Sequence, residues 1–486
     1  MTARRYRLGL VAAALLSVAM RLRFVFTPIS SDEGGYLAIA RAWRHGKDLY
    51  GDVWVDRPQG VLLVYRFYDV VIGEEDLLRI IALVFGIAAV AAVAEAVRSV
   101  SRSREAALVA AFFAAVLTAS PAIEGYAANG ELLGGAASAA SVAVACSVLV
   151  ERLSGRWMIV AGVLGGFAWS LKQSGIDGPL AVGAWLLVAA SFGWSARRVL
   201  LVRLGQLALG AGAVVGVLAL HGWVTGWSDW WYAVFGYRRE KRSVFEDAQW
   251  WRIREWGRDA IPVFATVVFA GIAAAVVSLR ARHRLVVSPV AGVFVAWMLT
   301  ATVSFLAGGQ FFRHYYVILA FPVAALCGLA VGSLPANRRR AMVAVAALVV
   351  PVVSWLSLAV KPRDEVPIAI SDEPRPLIAE RVGHWLDDHA ADDDTLYVMC
   401  AAAHAYAHAE MDPEYRYLWF DGVRQGRDSQ EELVALFTGP DPPTWVAAFD
   451  RAVICENSGV VADVLEAAYT EVDQVDGVPI YRLNAP

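Results

Sequence analysis

Residues 4–36 read RRYRLGLVAAALLSVAMRLRFVFTPISSDEGGY, and the reading of this stretch decides the class of fold. Three arginines, Arg4, Arg5 and Arg7, precede an apolar run from Leu8 to Phe26, and two acids, Asp32 and Glu33, follow it. A basic flank, a run about as long as a bilayer core is thick, and a polar far side describe a transmembrane helix. A secretory leader begins the same way, but no small-residue cleavage site follows; the next residues are Met20-Arg21-Leu22-Arg23. The run is read as an uncleaved first span.

The pattern recurs down the chain. Further apolar runs lie near 77–97, 105–121, 132–150, 157–171, 179–192, 199–222, 260–279, 285–306, 316–333 and 341–360, which gives about eleven spans. Composition agrees: of 486 residues 58% are hydrophobic and 18% charged, with mean hydropathy +0.50, more apolar surface than a soluble domain can hide. The net charge of −3 says nothing about partners, and no basic block points to nucleic acid.

Arginine orients the bundle. Arg4/Arg5/Arg7, Arg98/Arg102/Arg104, Arg152/Arg156, Arg197/Arg198, Arg280/Arg282/Arg284 and Arg338/Arg339/Arg340 all fall on one side when eleven spans are threaded. The positive-inside rule makes that side cytoplasmic. Gly60–Ile72 is apolar but broken by Arg66 and Asp69, and is read as an interfacial helix inside the first outer loop. The outer face then carries loops at 28–76, 121–131, 172–178, 223–259 and 307–315, and the tail from 361. These loops hold the acids, the remaining bases and many aromatics, so any site lies outside. A plasma-membrane protein with an extracytoplasmic C-terminus follows.

Residues 1–360 form the membrane domain on this reading, and 361–486 a small α/β domain. In the latter, Thr395–Cys400, Arg416–Phe420 and Ala452–Glu456 read as strands, Gln430–Phe437 and Val460–Tyr469 as helices, and Thr470–Asp473 with Pro479–Leu483 as the end of a sheet. Cys400 and Cys455 either pair or stay free in an oxidising compartment; Cys146 and Cys327 lie inside spans. A divalent metal is compatible with the outer acids, but no metal-binding motif is present.

The first outer loop is the richest segment: Ser30-Ser31-Asp32-Glu33-Gly34-Gly35-Tyr36, an amphipathic helix through Trp43, Gly46 to Tyr50, then Asp56-Arg57-Pro58-Gln59-Gly60. Ser30-x-x-Glu33 matches a capping box, which is one account of Glu33. Asp32 at the membrane surface is placed to take a proton from a hydroxyl.

These residues resemble the GT-C superfamily of integral-membrane glycosyltransferases. The resemblance is to the branch of the protein O-mannosyltransferases and the lipid A aminoarabinose transferase, the glycosyltransferase family 39-like enzymes. Asp32, Glu33 and Tyr36 match that branch after its first span, and Gly46 to Tyr50 matches its turn. Arg57-Pro58-Gln59-Gly60 matches its basic-Pro-Pro-x-Gly element in part, with Arg for Lys or His and Gln for the second Pro. Arg79 opens the next span, Asn129-Gly130-Glu131 forms a second acidic outer loop, Gly162 to Lys172 is a Gly-rich span ending in lysine, and His314-Tyr315 precedes a span bearing Pro322.

The resemblance implies a polyprenyl-phosphate sugar donor, an acceptor hydroxyl on a lipid, glycan or protein, and a bundle embedded among membrane lipids. It implies inverting transfer with Asp32 as general base, and Glu33 and Glu131 as further catalytic acids. Arg57, Lys172, Arg313 and His314 would hold the donor phosphate, since displacement at the anomeric carbon needs positive charge at the leaving group. Tyr36, Asn129, Gln173 and Tyr315 would touch substrate. Each has a plainer account. Arg57 can pair with Asp52 or Asp56, Lys172 can snorkel, His314 can sit at headgroup depth, and Glu131 can cap the span starting at Leu132. The rival class is a transporter or flippase of envelope glycolipids, which would place charge at mid-membrane; here the spans after the first are nearly free of it.

Overall fold

The computed structural model describes residues 1–194, 196–240, 247–280, 288–335, 338–371, 373–400 and 402–484. Arg282 and Arg284, counted above among the inner arginines, lie outside the described residues. In chain order the helices are α1 (Ala3–Leu22), α2 (Ser31–Arg44), α3 (Gln59–Val71), α4 (Ile80–Ser101), α5 (Arg104–Leu117), α6 (Gly130–Leu149), α7 (Trp157–Leu171) and α8 (Asp177–Ser191). Then come α9 (Arg197–Thr225), α10 (Trp227–Trp231), α11 (Tyr237–Glu240), α12 (Asp247–Arg280), α13 (Gly292–Gly308), α14 (Val317–Gly332) and α15 (Arg338–Ala359). The C-terminal region adds α16 (Glu365–Ser371), α17 (Arg375–His389), α18 (His404–His408), α19 (Phe420–Gln425), α20 (Ser429–Thr438), α21 (Ala452–Cys455) and α22 (Val460–Ala468).

The chain divides into two compact units. The first, Met1–Val25, Arg79–Leu218 and Ser243–Lys361, is the helical bundle. Each of the eleven apolar runs overlaps one helix, residues 285–287 lying outside the described residues. Among the described residues, eight helical segments have the length and composition to cross a membrane, and α1, α5 and α7 are not among them. The reasons are local. Four arginines interrupt α1, and α5 with 14 residues spans only about 21 Å against a core of about 30 Å. Close helix crossings run through glycine. A Cβ on Gly162 would lie 2.1 Å from the Leu207 carbonyl and one on Gly210 the same distance from that of Ile159, so α7 and α9 meet backbone to backbone.

The second unit gathers Phe26–Leu78, Ala219–Arg242 and Pro362–Pro486, so the first outer loop belongs with the C-terminal domain. Trp54 donates its N–H to the Arg416 carbonyl at 3.0 Å, and Lys47 pairs with Glu414 at 2.9 Å. Gly34 and Gly35 admit the domain against α2: a Cβ on Gly34 would lie 2.4 Å from the Cα of His404, and one on Gly35 2.5 Å from the Trp419 ring. The domain's four-stranded sheet has the order β1-β2-β4-β3. Here β1 (Leu396–Val398) runs parallel to β2 (Trp445–Ala447), while β4 (Val478–Leu483) is antiparallel to β2 and to β3 (Tyr469–Val475). The β3–β4 turn is Asp476-Gly477, both at positive φ, as a tight hairpin needs.

Two strand expectations are corrected. Among the described residues Arg416–Phe420 makes one bridge, Tyr417 to Trp54 of the first loop, and then enters α19. Ala452–Glu456 is instead the helical turn α21, with Val453 and Ile454 exposed. The strand it was expected to supply is Trp445–Ala447, buried along its whole length. Cys400 and Cys455 form a disulfide with Cα atoms 5.5 Å apart.

Candidate active site

Asp32 is the second residue of α2, half-buried, and Tyr36 one turn on donates its hydroxyl to the Asp32 carboxylate at 3.3 Å. Its neighbour Glu33 is fully buried and closes a capping box. The Ser30 hydroxyl accepts the Glu33 N–H at 3.3 Å, and the Glu33 carboxylate accepts the Ser30 N–H at 3.0 Å. The two acids thus differ in kind: one is engaged with helix backbone, the other lies on the helix's first turn beside a phenol. Tyr36 is itself wedged edge-on against Tyr65 and beside Trp419.

Arg57 is buried and bound to Asp56, which also takes Arg238 at 2.7 Å. Asp52 instead accepts the Asp48 N–H. The loop that carries Arg57 is fixed from behind. Tyr50, held at φ 78, donates its hydroxyl to the Arg57 carbonyl at 2.7 Å. A non-glycine residue at positive φ, 1% exposed, holds strain that packing must offset.

The bundle unit contains the second cluster. Asn129 is the N-cap of α6, accepting from the Leu132 N–H, so Glu131 does not cap. Glu131 instead pairs with Lys172 at 2.6 Å, both nearly buried. Lys172 therefore does not snorkel. Its stem lies against α6 because Gly130 and Gly134 leave room; a Cβ on either would come within 3.1–3.4 Å of the lysine side chain. The ammonium sits 4.7 Å from the centre of the Tyr315 ring, a cation–π contact. His314 is 2.9 Å from Glu124 through Nδ1 and 3.9 Å from Glu131 through Nε2, and stacks on Phe312. Arg313 points elsewhere, to Asp259 at 2.7 Å and over Trp256. Gln173 begins the short turn before α8 and is half-buried. Glu131, Lys172, His314 and Tyr315 are thus together, and Arg313 is turned to a different acid.

Sequence reasoning missed Asp177. It is 1% exposed and receives the Ser138 hydroxyl at 2.6 Å and the Trp297 indole N–H at 2.7 Å. An acid five residues past Lys172, within an apolar stretch, was the available signal. Arg79 stands as expected at the head of α4, donating to the Phe24 carbonyl at 2.7 Å and lying over Tyr126.

The fold of this chain is similar to that of solved structures of ArnT and of an archaeal oligosaccharyltransferase. ArnT from Cupriavidus metallidurans bound to undecaprenyl phosphate aligns with a TM-score of 0.62 at 15% identity, over 99% of this chain and 98% of that one. The Archaeoglobus fulgidus oligosaccharyltransferase tethered to an acceptor peptide aligns with a TM-score of 0.57 at 13% identity, over 96% of this chain and 72% of that one. The archaeal oligosaccharyltransferase AglB from the same organism, with an inhibitory peptide and a dolichol-phosphate, gives 0.56 at 13%, over 91% and 69%. No protein-family model matches the sequence, and no curated protein does. The chain is a multi-pass membrane protein with this fold.

Proposed function

We propose that the protein is a glycosyltransferase that moves a sugar from a polyprenyl-phosphate donor to an acceptor hydroxyl at the outer face of the plasma membrane. The observation that carries the reading is the end-to-end correspondence with ArnT, solved with undecaprenyl phosphate bound. Asp32 is the general base: it takes the acceptor's proton as the acceptor oxygen bonds to the anomeric carbon. The bond from that carbon to the phosphate oxygen breaks, polyprenyl phosphate leaves, and a single displacement inverts the centre. Arg57 binds the departing phosphate, exchanging part of its contact with Asp56 for the new anion.

Lys172 and His314 are a second set of donor-phosphate candidates, with Glu131 holding the lysine, and Arg313 a further one. An apolar cavity of 530 Å³ lined by Val268, Ile272, Met298, Leu326 and Cys327 has the character a prenyl chain needs. The Cys400–Cys455 disulfide supports an extracytoplasmic C-terminal domain. Cysteine-accessibility labelling of Phe420→Cys from outside intact cells tests that orientation.

Mass spectrometry of envelope lipids, glycans and glycoproteins from a strain lacking the protein tests the activity and names the acceptor. One sugar modification should vanish, and return with the wild-type gene but not with Asp32→Asn. An unchanged envelope, or full rescue by Asp32→Asn, overturns the reading. Loss of a lipid's movement across the membrane with transfer intact would establish a flippase instead.

A further inference from the structure

We propose that Glu75, His384 and His408 bind one divalent transition-metal ion of the zinc type, which clamps the end of the first outer loop to helices α17 and α18. All three belong to the second unit, from chain positions more than 300 residues apart for the loop and the helices. Nε2 of His384 lies 3.6 Å and Nδ1 of His408 3.8 Å from the same oxygen of Glu75. One donor atom from each residue falls within 4.8 Å of the other two.

The arrangement is built rather than incidental. Gly383, next to His384, is where α17 meets α18; a Cβ there would lie 2.4 Å from the Cβ of His408. That close approach brings the two imidazoles edge to face, 5.3 Å between centres. His408 is only 3% exposed, yet neither ring nitrogen has a hydrogen-bond partner among the described residues. An unpaired buried polar atom costs about 1–3 kcal/mol, so a buried imidazole whose Nδ1 reaches only the Glu75 carboxylate at 3.8 Å and whose Nε2 meets no hydrogen-bond partner among the described residues has room for a ligand. Two imidazoles and a carboxylate form the His₂Glu set that zinc accepts at about 2.0–2.2 Å, with a fourth position left for water.

Tetrahedral ligands at such lengths stand about 3.4 Å apart. The present separations close to that by small side-chain rotations, for which half-exposed His384 is free. Glu74 and Asp76 flank Glu75 and add negative charge. Arg41, whose charge also reaches Glu75, is held by Asp69 at 3.0 Å and by the carbonyls of Gly73 and Ala407. Asp69 also takes Arg44 at 2.7 Å, and the Arg41 donors go to these partners rather than to Glu75, which leaves that carboxylate available.

The test uses the full-length protein with a histidine-free affinity tag, purified in detergent, stripped with chelator, loaded with zinc and dialysed. Elemental mass spectrometry should find one zinc per chain, and zinc should raise the melting temperature. His384→Ala should keep the metal-free melting temperature, and both His384→Ala and Glu75→Gln should lose both effects. Their zinc affinity should fall by more than the roughly 10–100-fold that loss of an outer-sphere partner costs. Wild-type protein that retains no zinc, or either variant that retains the full equivalent and the same melting shift, overturns the proposal.

Discussion

Replacing Lys172 by methionine separates scaffold from machinery in the bundle. Methionine keeps the stem that Gly130 and Gly134 accommodate and removes only the ammonium. The Glu131 carboxylate, 3% exposed and 2.6 Å from that ammonium, would then lose its closest cation while His314 Nε2 stays at 3.9 Å. Breaking a buried pair from one side typically costs about 3–5 kcal/mol. His314 Nε2, 3.9 Å away, remains as a nearby donor, which places the expectation near the lower end. Glu131→Gln alone should cost a similar amount by stranding the ammonium. The double variant strands no charge and should recover most of the loss, with a coupling of about 3 kcal/mol. Thermal unfolding in mild detergent reads the cycle, and transfer from a polyprenyl-phosphate sugar is measured on the same preparations. If Lys172 contacts the donor phosphate, the double variant is stable yet slower by about 10²–10³-fold. If the pair is only structural, activity returns with stability. A Lys172→Met protein as stable as wild type would refute the energetic argument itself.

Three further outcomes are expected. Asp32→Asn should lose about 10²–10⁴-fold in transfer rate, whereas Glu33→Gln should lose mainly about 1 kcal/mol of stability through its capping box; the reverse ranking in the transfer assay reassigns the base. Arg57→Ala should weaken transition-state binding by about 2–4 kcal/mol in kcat/KM, with Arg57→Lys recovering part because a point charge replaces a planar fork; an unchanged rate in folded protein removes the phosphate role. His404, against which Gly34 packs, is held neutral because burial, and then His408 beside it, push its pKa down to about 3. The unfolded imidazole titrates near 6.5, so between these values the unfolded state binds more protons. His404's contribution is complete above about pH 6.5 and falls by up to about 1.4 kcal/mol per unit as pH drops. His404→Gln should flatten the melting-temperature profile between pH 7 and 5, and an unaltered slope assigns the effect to other groups.

Periodicity carried the helices well, because an apolar run in a membrane protein needs no partner to be recognised. Each of the eleven runs overlaps a helix among the described residues, and the segment 60–72 lies on α3. The capping box at Ser30 and Glu33 was legible for the same reason, being local. Charge was legible as presence and not as pairing. Glu131 meets Lys172 41 positions away, Asp56 meets Arg238, and Arg313 meets Asp259; no spacing rule announces any of these. The strand β2 was missed because three residues, Trp445–Ala447, give too short an alternation. Val453 and Ile454, β-branched but exposed, read more like a strand than the buried strand did.

Glycine connects the two kinds of information. Gly34 and Gly35 follow the candidate base, and their lack of a side chain is what lets α2 press on His404 and Trp419. That contact fixes the helix that carries Asp32 and Tyr36. Gly130 and Gly134 do the same for Lys172, and Gly383 for His384. In each case a charged or ligating residue stands beside a glycine that sets how near a second backbone can come. Substituting alanine at Gly34 should therefore cost about 1–3 kcal/mol by overpacking, with no charge touched. Such a glycine marks a fixed approach of two elements, and a side chain that must act on a substrate atom needs its carrier held in place to a fraction of an ångström. The Asp-Glu-Gly-Gly-Tyr stretch is thus one device: acid, cap, two contact points and a phenol, all on the first turns of a single helix.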